Sequence, residues 1–462
     1  MAVSGELAGG ARPGAAVDLL GVGFGPANIA IAAAIADGRE AGKAPERELD
    51  ALFVDEAPDA TWQPGLLFQG TDIQHHYLRD LATPRNPRSR FTFTNYLWEQ
   101  GRLHAFGLWG GAPGRVEWSD YVRWAAEEVG VPVAYGHRVE AIEPCSGAGL
   151  AAASWHVLGR DVATGAPVRW LARNVVLATG QVPFVPDVLR PLLGERVFHA
   201  QQYLGRIGSI ESRPGQRFVV LGGGQTAAEV ILHLLGAFPH AHVTAVTRGP
   251  GFRLCDLGPF TNELYSPAGG EYFYGLQQEV RERVASDIRY SNYACIDYDV
   301  GVALYRRMYE DRILGRHHVS LLRWHEVADA APDAGGLRLE LSEVNTGELR
   351  DLEADHVVVC TGLREQRLPD LLAPIQSLLE RGPDGDLDIR EDYRVRTVPS
   401  VTAGLYLNGL TEWRHGLTNS TTFSLMALKA DDILGDIGRR SAESAPAPAL
   451  TTPIGGGRCG CS

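Results

Sequence analysis

The chain has 462 residues, of which 45% are hydrophobic and 21% charged, enough apolar material for the cores of two or three domains. A formal charge of −13 and a pI near 5.6 exclude nucleic-acid binding as the main task, because phosphate neutralisation needs a basic surface. No apolar run is long enough to span a membrane, and the opening MAVSGELAGGARPGAA lacks the regions of a signal peptide, so a cytoplasmic protein is expected.

Residues 1–16 are small and Gly/Ala-rich and read as a disordered tail. A strand-like run, Val17-Asp-Leu-Leu20, enters the turn Gly21-Val-Gly-Phe-Gly-Pro-Ala-Asn28 and a helix to about Asp37, and the strand Ala51-Leu-Phe-Val54 follows. Residues 61–130 mix aromatics, prolines and arginines with little period and read as a loop-rich, site-bearing region. Within them, the basic run Arg79 to Arg90 looks like an anionic-ligand site rather than a nucleic-acid patch.

Asn174-Val-Val-Leu-Ala-Thr-Gly180 is a buried strand ending in a turn. A second βαβ unit starts at Phe218-Val-Val-Leu221, with helix Gln225–Phe238 and a strand near His242–Val246. Residues 250–310 are irregular, then helical. Asp355-His-Val-Val-Val-Cys-Thr-Gly362 echoes the Ala178-Thr-Gly180 ending, and a last unit runs from Gly404 through a helix to about Ile437. The fold class this predicts is α/β: two nested Rossmann-like dinucleotide-binding domains, parallel sheets with helices on both faces, and a smaller helical substrate-binding region at about 255–310. The first domain is expected to take 17–210 plus 355–436 and the second 211–354, with 438–462 a disordered C-terminal tail.

At the first turn, Gly21, Gly23 and Gly25 let the backbone approach a pyrophosphate at a helix N-terminus. Pro26 replaces the usual third glycine, and proline is tolerated there because its missing N–H has no intrahelical partner. Asn28 follows. Asp55, with Glu56 in reserve, is the acid expected to hold a ribose hydroxyl, at a separation longer than the usual roughly 20 residues because the polar insert Gly38–Glu48 intervenes. At the second turn, Gly222, Gly224, Gln225 and Thr226 are the corresponding residues. Arg248 stands where an acid would favour a ribose diol, which favours a 2′-phosphate and hence NADP(H). Each feature has a plainer reading, a structural loop or a surface arginine.

Six cysteines (Cys145, Cys255, Cys295, Cys360, Cys459, Cys461) show no pairing in their spacing, which fits reduced thiols. No Cys-x-x-Cys follows either turn, so dithiol chemistry is not expected. No set of residues has metal-ligand spacing: Cys459 and Cys461 lie in a tail, and His75 and His76 would point to opposite faces of a strand. Gly-x-Ser-x-Gly is absent. A flavin and a nicotinamide remain, passing electrons to a small acceptor or to dioxygen.

The residues resemble the flavin monooxygenases that N-hydroxylate the side-chain amine of ornithine or lysine. The likeness runs in order through Asp18–Asn28, Thr61-Trp-Gln-Pro-Gly65, Leu78–Leu97, Arg115–Tyr121, Phe198–Tyr203, Gly222–Glu229, Pro259–Glu263, Ser291–Tyr293, and His415–Thr418 with Phe423–Ala427. It implies FAD and NADPH as cofactors, with Trp62, Gln74 and Arg115 along the FAD and Thr226 and Arg248 on NADPH. It implies that Arg79, Asn262, Asn292 and Ser424 grip the amino acid. It further implies O2-dependent hydroxylation of a diamino acid, ornithine or lysine first, through a peroxyflavin shielded by bound NADP+, and a homo-oligomer, a tetramer. Catalysis would rest on the cofactor and on positioning, with Asn292 the one protein group offered as a catalytic candidate.

Three departures bear on substrate. Arg79 stands where the family usually has Lys, His75-His76-Tyr77 replaces a more apolar stretch, and one extra residue falls between His415 and Ser424. Thr361-Gly-Leu363 also departs from the expected Thr-Gly-Tyr. The longer Arg79 points to a shorter diamino acid as an alternative substrate. Other readings are a diamine (putrescine or cadaverine) hydroxylase, a flavin monooxygenase of Baeyer–Villiger or sulfur-oxidising type, and a non-catalytic nucleotide-binding protein. Hydroxamate siderophore assembly is the family's usual setting, and N–N bond formation is another use of hydroxylated amines.

Overall fold

The strand Pro167–Leu177 is the one around which the first sheet is built. Its last residues, Val175, Val176 and Leu177, are apolar and fully buried, as a strand covered on both faces requires. They pair in parallel with Val17–Val22 on one side and Gly404–Leu407 on the other. Its first half pairs antiparallel with Ser154–Asp161, which pairs in turn with His137–Cys145. Ala51–Val54 and Val133–Ala134 extend the sheet to seven strands. The computed structural model describes residues 15–40, 42, 49–145, 152–417 and 422–444.

The second sheet is wholly parallel. Its order is Val319–Arg323, His242–Thr247, Arg217–Leu221, His356–Val359, Val197–His199. A three-stranded antiparallel meander, His325–Asp333, Gly336–Glu343 and Leu349–Ala354, is inserted between its strands Val319–Arg323 and His356–Val359. The chain thus leaves the first sheet after Leu177, builds the second, and returns at Gly404. That is a nested pair of dinucleotide-binding folds.

Several sequence expectations change. Val197–His199 and His356–Val359 pair in the second sheet, although the expected boundaries put both with the first. Their side chains match either parallel sheet, and only the hydrogen-bonded register separates the two. The last helix spans Met426–Ser444, past the expected end near Ile437. The rest of the predicted C-terminal tail, Cys459 and Cys461, residues 1–14, most of the polar insert, and the extra-residue region 418–421 lie outside the described residues.

Residues 61–92 are loop apart from one short 3-10 turn, as expected, but the second half of the region is helical: Phe93–Glu99, Leu103–Trp109 and Arg115–Glu128 are helices. In the last of these, Trp118, Tyr121, Val122 and Ala125 are fully buried at helical three- and four-residue spacing. It packs with Pro26–Glu40 and Met426–Ser444 on one face of the first sheet. Among the described residues the other face carries no α-helical layer. Leu20, Val22 and Leu52 there meet Ile142 and Trp155 of the antiparallel strands and Leu372 and Ile375 of the 3-10 segment Asp370–Leu378.

Candidate functional site

A cleft of about 1870 Å³ lies where the two glycine turns face each other, larger than the ~300–1,000 Å³ typical of a single small-ligand pocket. The two turns are built alike. Gly23 has φ +83°, and a Cβ there would overlap the carbonyl oxygen of Ala178; Gly222 has φ +139°, and a Cβ there would overlap that of Cys360. Ala178 and Cys360 each precede a Thr-Gly pair, so each Thr-Gly echo marks the neighbouring strand against which a glycine turn is pressed. Gly21 is fixed differently, by the ring of Phe53, and Gly25 opens onto free space at the mouth of helix Pro26–Glu40. Neither that helix nor Gln225–Ala237 carries an acidic residue in its first turn, and both positive helix ends face the cleft.

Gly23, Gly25, Pro26, Asp55, Trp62, Gln74, Arg115, Gly222, Gly224, Gln225, Thr226 and Arg248 all line this cleft, and so do Arg79, Asn262, Asn292 and Ser424. Gly21 and Asn28 sit behind its wall. Asn28 is fully buried; its Nδ2 donates to the Gly23 carbonyl (2.7 Å) and its Oδ1 accepts from Asn408, so it braces the turn. Asp55 accepts from the backbone N–H groups of Phe24 (2.5 Å) and Ala57 (2.7 Å), while burial pushes its carboxyl upward. Glu56, the reserve, pairs with Arg138 at 2.7 Å.

Arg115 is committed to the other sheet's helix. Its Nη2 lies 2.8 Å from Glu229 Oε2, with side-chain exposures of 7% and 1%. Gln225 donates to Glu229 and accepts from the Asp297 N–H, so its amide is also engaged at both ends. Glu229 has no part in the sequence reading. Its i+4 spacing from Gln225, on the apolar face of a helix, was the signal available. Asp72 was also missed: burial, then Asp297, Asp299 and Glu229, push its carboxyl up to about 6 against the pull of Arg115.

Arg248 ends the strand His242–Thr247 and is exposed at the cleft. Of the basic run 79–90, Arg79 alone is among the residues lining the cleft; Arg85 pairs with Asp37, and Arg90 with Glu40 and Glu128. Arg79 Nη1 is 3.4 Å from Ser424 Oγ and Nη2 is 3.3 Å from Asn262 Oδ1, with the Tyr265 ring 5.6 Å away. No carboxylate lies within ion-pair reach of it among the described residues. Buried Asp80, next to Arg79, fixes the loop that follows by accepting from the N–H groups of Ala82, Thr83 and Phe93.

His75 and His76 lie in a bend rather than a strand. The His75 ring packs 5.2 Å from both Trp118 and Phe423, and burial holds its pKa down at about 4, so it forms a neutral wall. Trp62 meets the same Phe423 edge-on at 5.6 Å. The expectation of reduced thiols fails at one pair: Cys255 and Cys295 form a disulfide, and both line the cleft. Their separation of 40 residues matches no pairing pattern, so only the fold brings them together. Cys145 and Cys360 are free. Among the described residues no group of His, Cys, Asp and Glu is arranged to hold a metal ion, and no helix is long and apolar enough to cross a membrane.

A family model described as L-lysine 6-monooxygenase/L-ornithine 5-monooxygenase matches residues 15–365. An L-ornithine N(5)-monooxygenase of Pseudomonas aeruginosa is 33% identical over 426 residues, 91% of this chain and 93% of that protein. An ornithine N-hydroxylase from Kutzneria sp. 744, solved with reduced FAD, NADP+ and L-ornithine, is 32% identical with a TM-score of 0.86, covering 92% of this chain and 100% of that one. An L-lysine 6-monooxygenase from Pseudomonas syringae is 38% identical with a TM-score of 0.82, covering 92% and 99%.

Proposed function

The chain belongs to the L-lysine 6-monooxygenase/L-ornithine 5-monooxygenase family, and we propose that its cleft holds a diamino acid by the carboxylate end while the far amine is hydroxylated. It is an NADPH-dependent flavin N-monooxygenase acting on the terminal side-chain amine of a diamino acid. The paired turns suit the two dinucleotides: open space at Gly25, left-handed Gly23 and Gly222, and two helix N-termini with no acid in their first turns fit pyrophosphates. When bound, FAD and NADPH supply the electrons and the O2 activation that deliver one oxygen atom to nitrogen.

The observation that carries the reading is Arg79, a half-buried cation whose hydrogen-bond partners are neutral and which has no counter-ion among the described residues. Its fork offers two parallel N–H bonds to a carboxylate, and Asn262 and Ser424 stand where they would complete that grip. Asn292 lines the same cleft and is offered as a further contact. Trp62, His75 and Phe423 form an apolar wall that excludes water from the reacting amine. That wall also favours the uncharged amine, which must form against a free pKa of about 10.4. Exposed Arg248 suits the 2′-phosphate of NADPH.

The substrate is L-ornithine or L-lysine. A shorter diamino acid is the second reading, favoured by the reach of Arg79 into the cleft. The test is a panel of ornithine, lysine, diaminobutyrate, diaminopropionate, putrescine and cadaverine, following NADPH and O2 consumption with a hydroxylamine assay. Hydroxylamine from a carboxylate-bearing member, and none from the two diamines, is the expected result. NADPH oxidation without hydroxylamine from any member overturns the reading.

The exposed stripe Tyr298, Tyr305, Tyr309 and Ile313 on helix Tyr298–Ile313 supports a homo-oligomer. Light scattering at micromolar concentration tests it. The need for NADPH supports a cytoplasmic location.

A further inference from the structure

We propose that Cys255 and Cys295 form a thiol–disulfide exchange site that sets how firmly the amino-acid substrate is held. The inference rests on the reading of the cleft as an amine N-hydroxylation site. The two cysteines lie on adjacent segments. Cys255 N–H donates to the Ile296 carbonyl (2.9 Å), Ile296 N–H to that of Arg253 (2.7 Å), and Asp256 N–H to that of Tyr290 (3.0 Å). The first segment runs on to Asn262, and the second carries Ser291 and Asn292. The disulfide therefore closes a 40-residue loop that contains both substrate-facing asparagines and Tyr265. Cys255 Sγ also sits 3.8 Å from Gln74 Nε2, which reaches across from the first domain and hydrogen-bonds the Asp297 carboxylate.

The two sulfurs are unequal. Cys255 is partly exposed at the cleft, whereas Cys295 is 3% exposed. An incoming thiolate can reach Cys255, form a mixed disulfide there and release Cys295 as a thiolate that takes up a proton. A second thiol then frees Cys255, so two external thiols become one disulfide and the pair becomes two thiols. In a thiol-rich compartment an accessible disulfide of this kind is transient rather than a permanent staple. The return path uses hydrogen peroxide: one thiol gives up its proton and attacks the peroxide as the thiolate, becoming a sulfenic acid while the departing hydroxide takes up that proton as water, and the second thiol then displaces a second water to reform the bond. Flavin oxygenases that leak convert NADPH, H+ and O2 into NADP+ and hydrogen peroxide, so the oxidant arises in the same cleft.

With the bond closed, the walls bearing Asn262 and Asn292 are held together covalently; with it open, they are joined by the short backbone ladder, the Tyr265 hydroxyl on Ser291 (3.0 Å) and the Arg253 guanidinium over the Tyr290 ring, all of them non-covalent. The experiment uses full-length holoenzyme, either reduced with dithiothreitol and desalted or treated with hydrogen peroxide. Denatured thiol titration is expected to give two fewer thiols in the oxidised form. Reduction is expected to raise KM for the diamino acid by roughly tenfold, the size of one lost positioned hydrogen bond to a charged group, and to increase the share of NADPH that ends as peroxide. The NADPH-dependent flavin reduction rate should change much less. C255S should behave as the reduced form and ignore dithiothreitol, while C145S should keep the response. Hydrogen exchange across 256–294 should be faster in the reduced form. Equal thiol counts, or equal KM and equal exchange in the two forms, overturn the proposal. If no amine gives hydroxylamine in either form while the exchange difference persists, the hydroxylation reading falls and the exchange site stands.

Discussion

Arg79 Nη2 lies 3.3 Å from Asn262 Oδ1, although 183 residues separate them in the chain. The contact joins the loop pinned by Asp80 to the helical insert of the second domain, and among the described residues the guanidinium has no anionic partner. A substrate carboxylate is the charge this arrangement lacks. R79M is expected to raise KM for the diamino acid by about 100-fold, equivalent to ~3 kcal/mol for a lost charge-assisted pair. NADPH-dependent flavin reduction should be nearly unchanged. R79K keeps the charge but shortens the anchor and is expected to shift preference towards the longer diamino acid in the same panel. An R79M enzyme with wild-type KM would remove the carboxylate from this position.

Arg248 makes a separate claim about the second nucleotide. It is exposed, so its contribution is a charge-assisted contact rather than a packed one. R248A is expected to weaken NADPH by about tenfold or more while leaving NADH use nearly unchanged, because only the former carries the 2′-phosphate. Stopped-flow flavin reduction over a range of each nucleotide measures both. Equal losses for the two would place the 2′-phosphate elsewhere.

The glycine turns were legible because their chemistry is local: each needs a positive φ, open space and a helix start within a few residues. The Thr-Gly echo was legible as a repeat, but not its cause, since the pressing of Gly23 on Ala178 and of Gly222 on Cys360 spans more than a hundred residues. Arg79 was found by resemblance; its lack of a counter-ion among the described residues was not, because Asp37, Glu40 and Glu128 had to be seen taking Arg85 and Arg90 of the same run. The helix Arg115–Glu128 was legible and overlooked, its period hidden by polar residues between Trp118 and Tyr121. The Cys255–Cys295 bond and the Asp72 cluster were not legible at all. Both arise where segments distant in sequence meet, two at the disulfide and four around Asp72.

Arg115 and Glu229 tie the first domain to the first helix of the second through a buried ion pair. Burial pushes the Glu229 carboxyl up, and Arg115 and Gln225 hold it down. E229A strands the Arg115 charge and is expected to lower unfolding stability by ~3–5 kcal/mol, with weaker FAD retention. The double variant R115M/E229L, which buries no charge, should lose markedly less. Urea titrations of the three proteins measure this, and an E229A loss of under about 1 kcal/mol would show that solvent reaches the pair.

Asp72 gives the fold a pH dependence of definite sign. Its folded pKa is pushed up to about 6, chiefly by burial and then by Asp297, Asp299 and Glu229. The unfolded value is about 3.9. Between the two, the folded state binds more protons than the unfolded one, so this group's contribution to stability falls as pH rises from about 4 to about 6. Above that window the folded protein carries an ionised carboxylate in acidic company. D72N keeps the shape and removes the charge, so it is expected to be more stable than wild type by ~1–2 kcal/mol at about pH 7.5, after allowance for the side chain's partial exposure. The gap should narrow at about pH 5 and close near pH 4. Urea midpoints of both proteins across this range test it: a D72N gain that does not vary with pH, or a loss at neutral pH, would show that Asp72 is ionised at little cost.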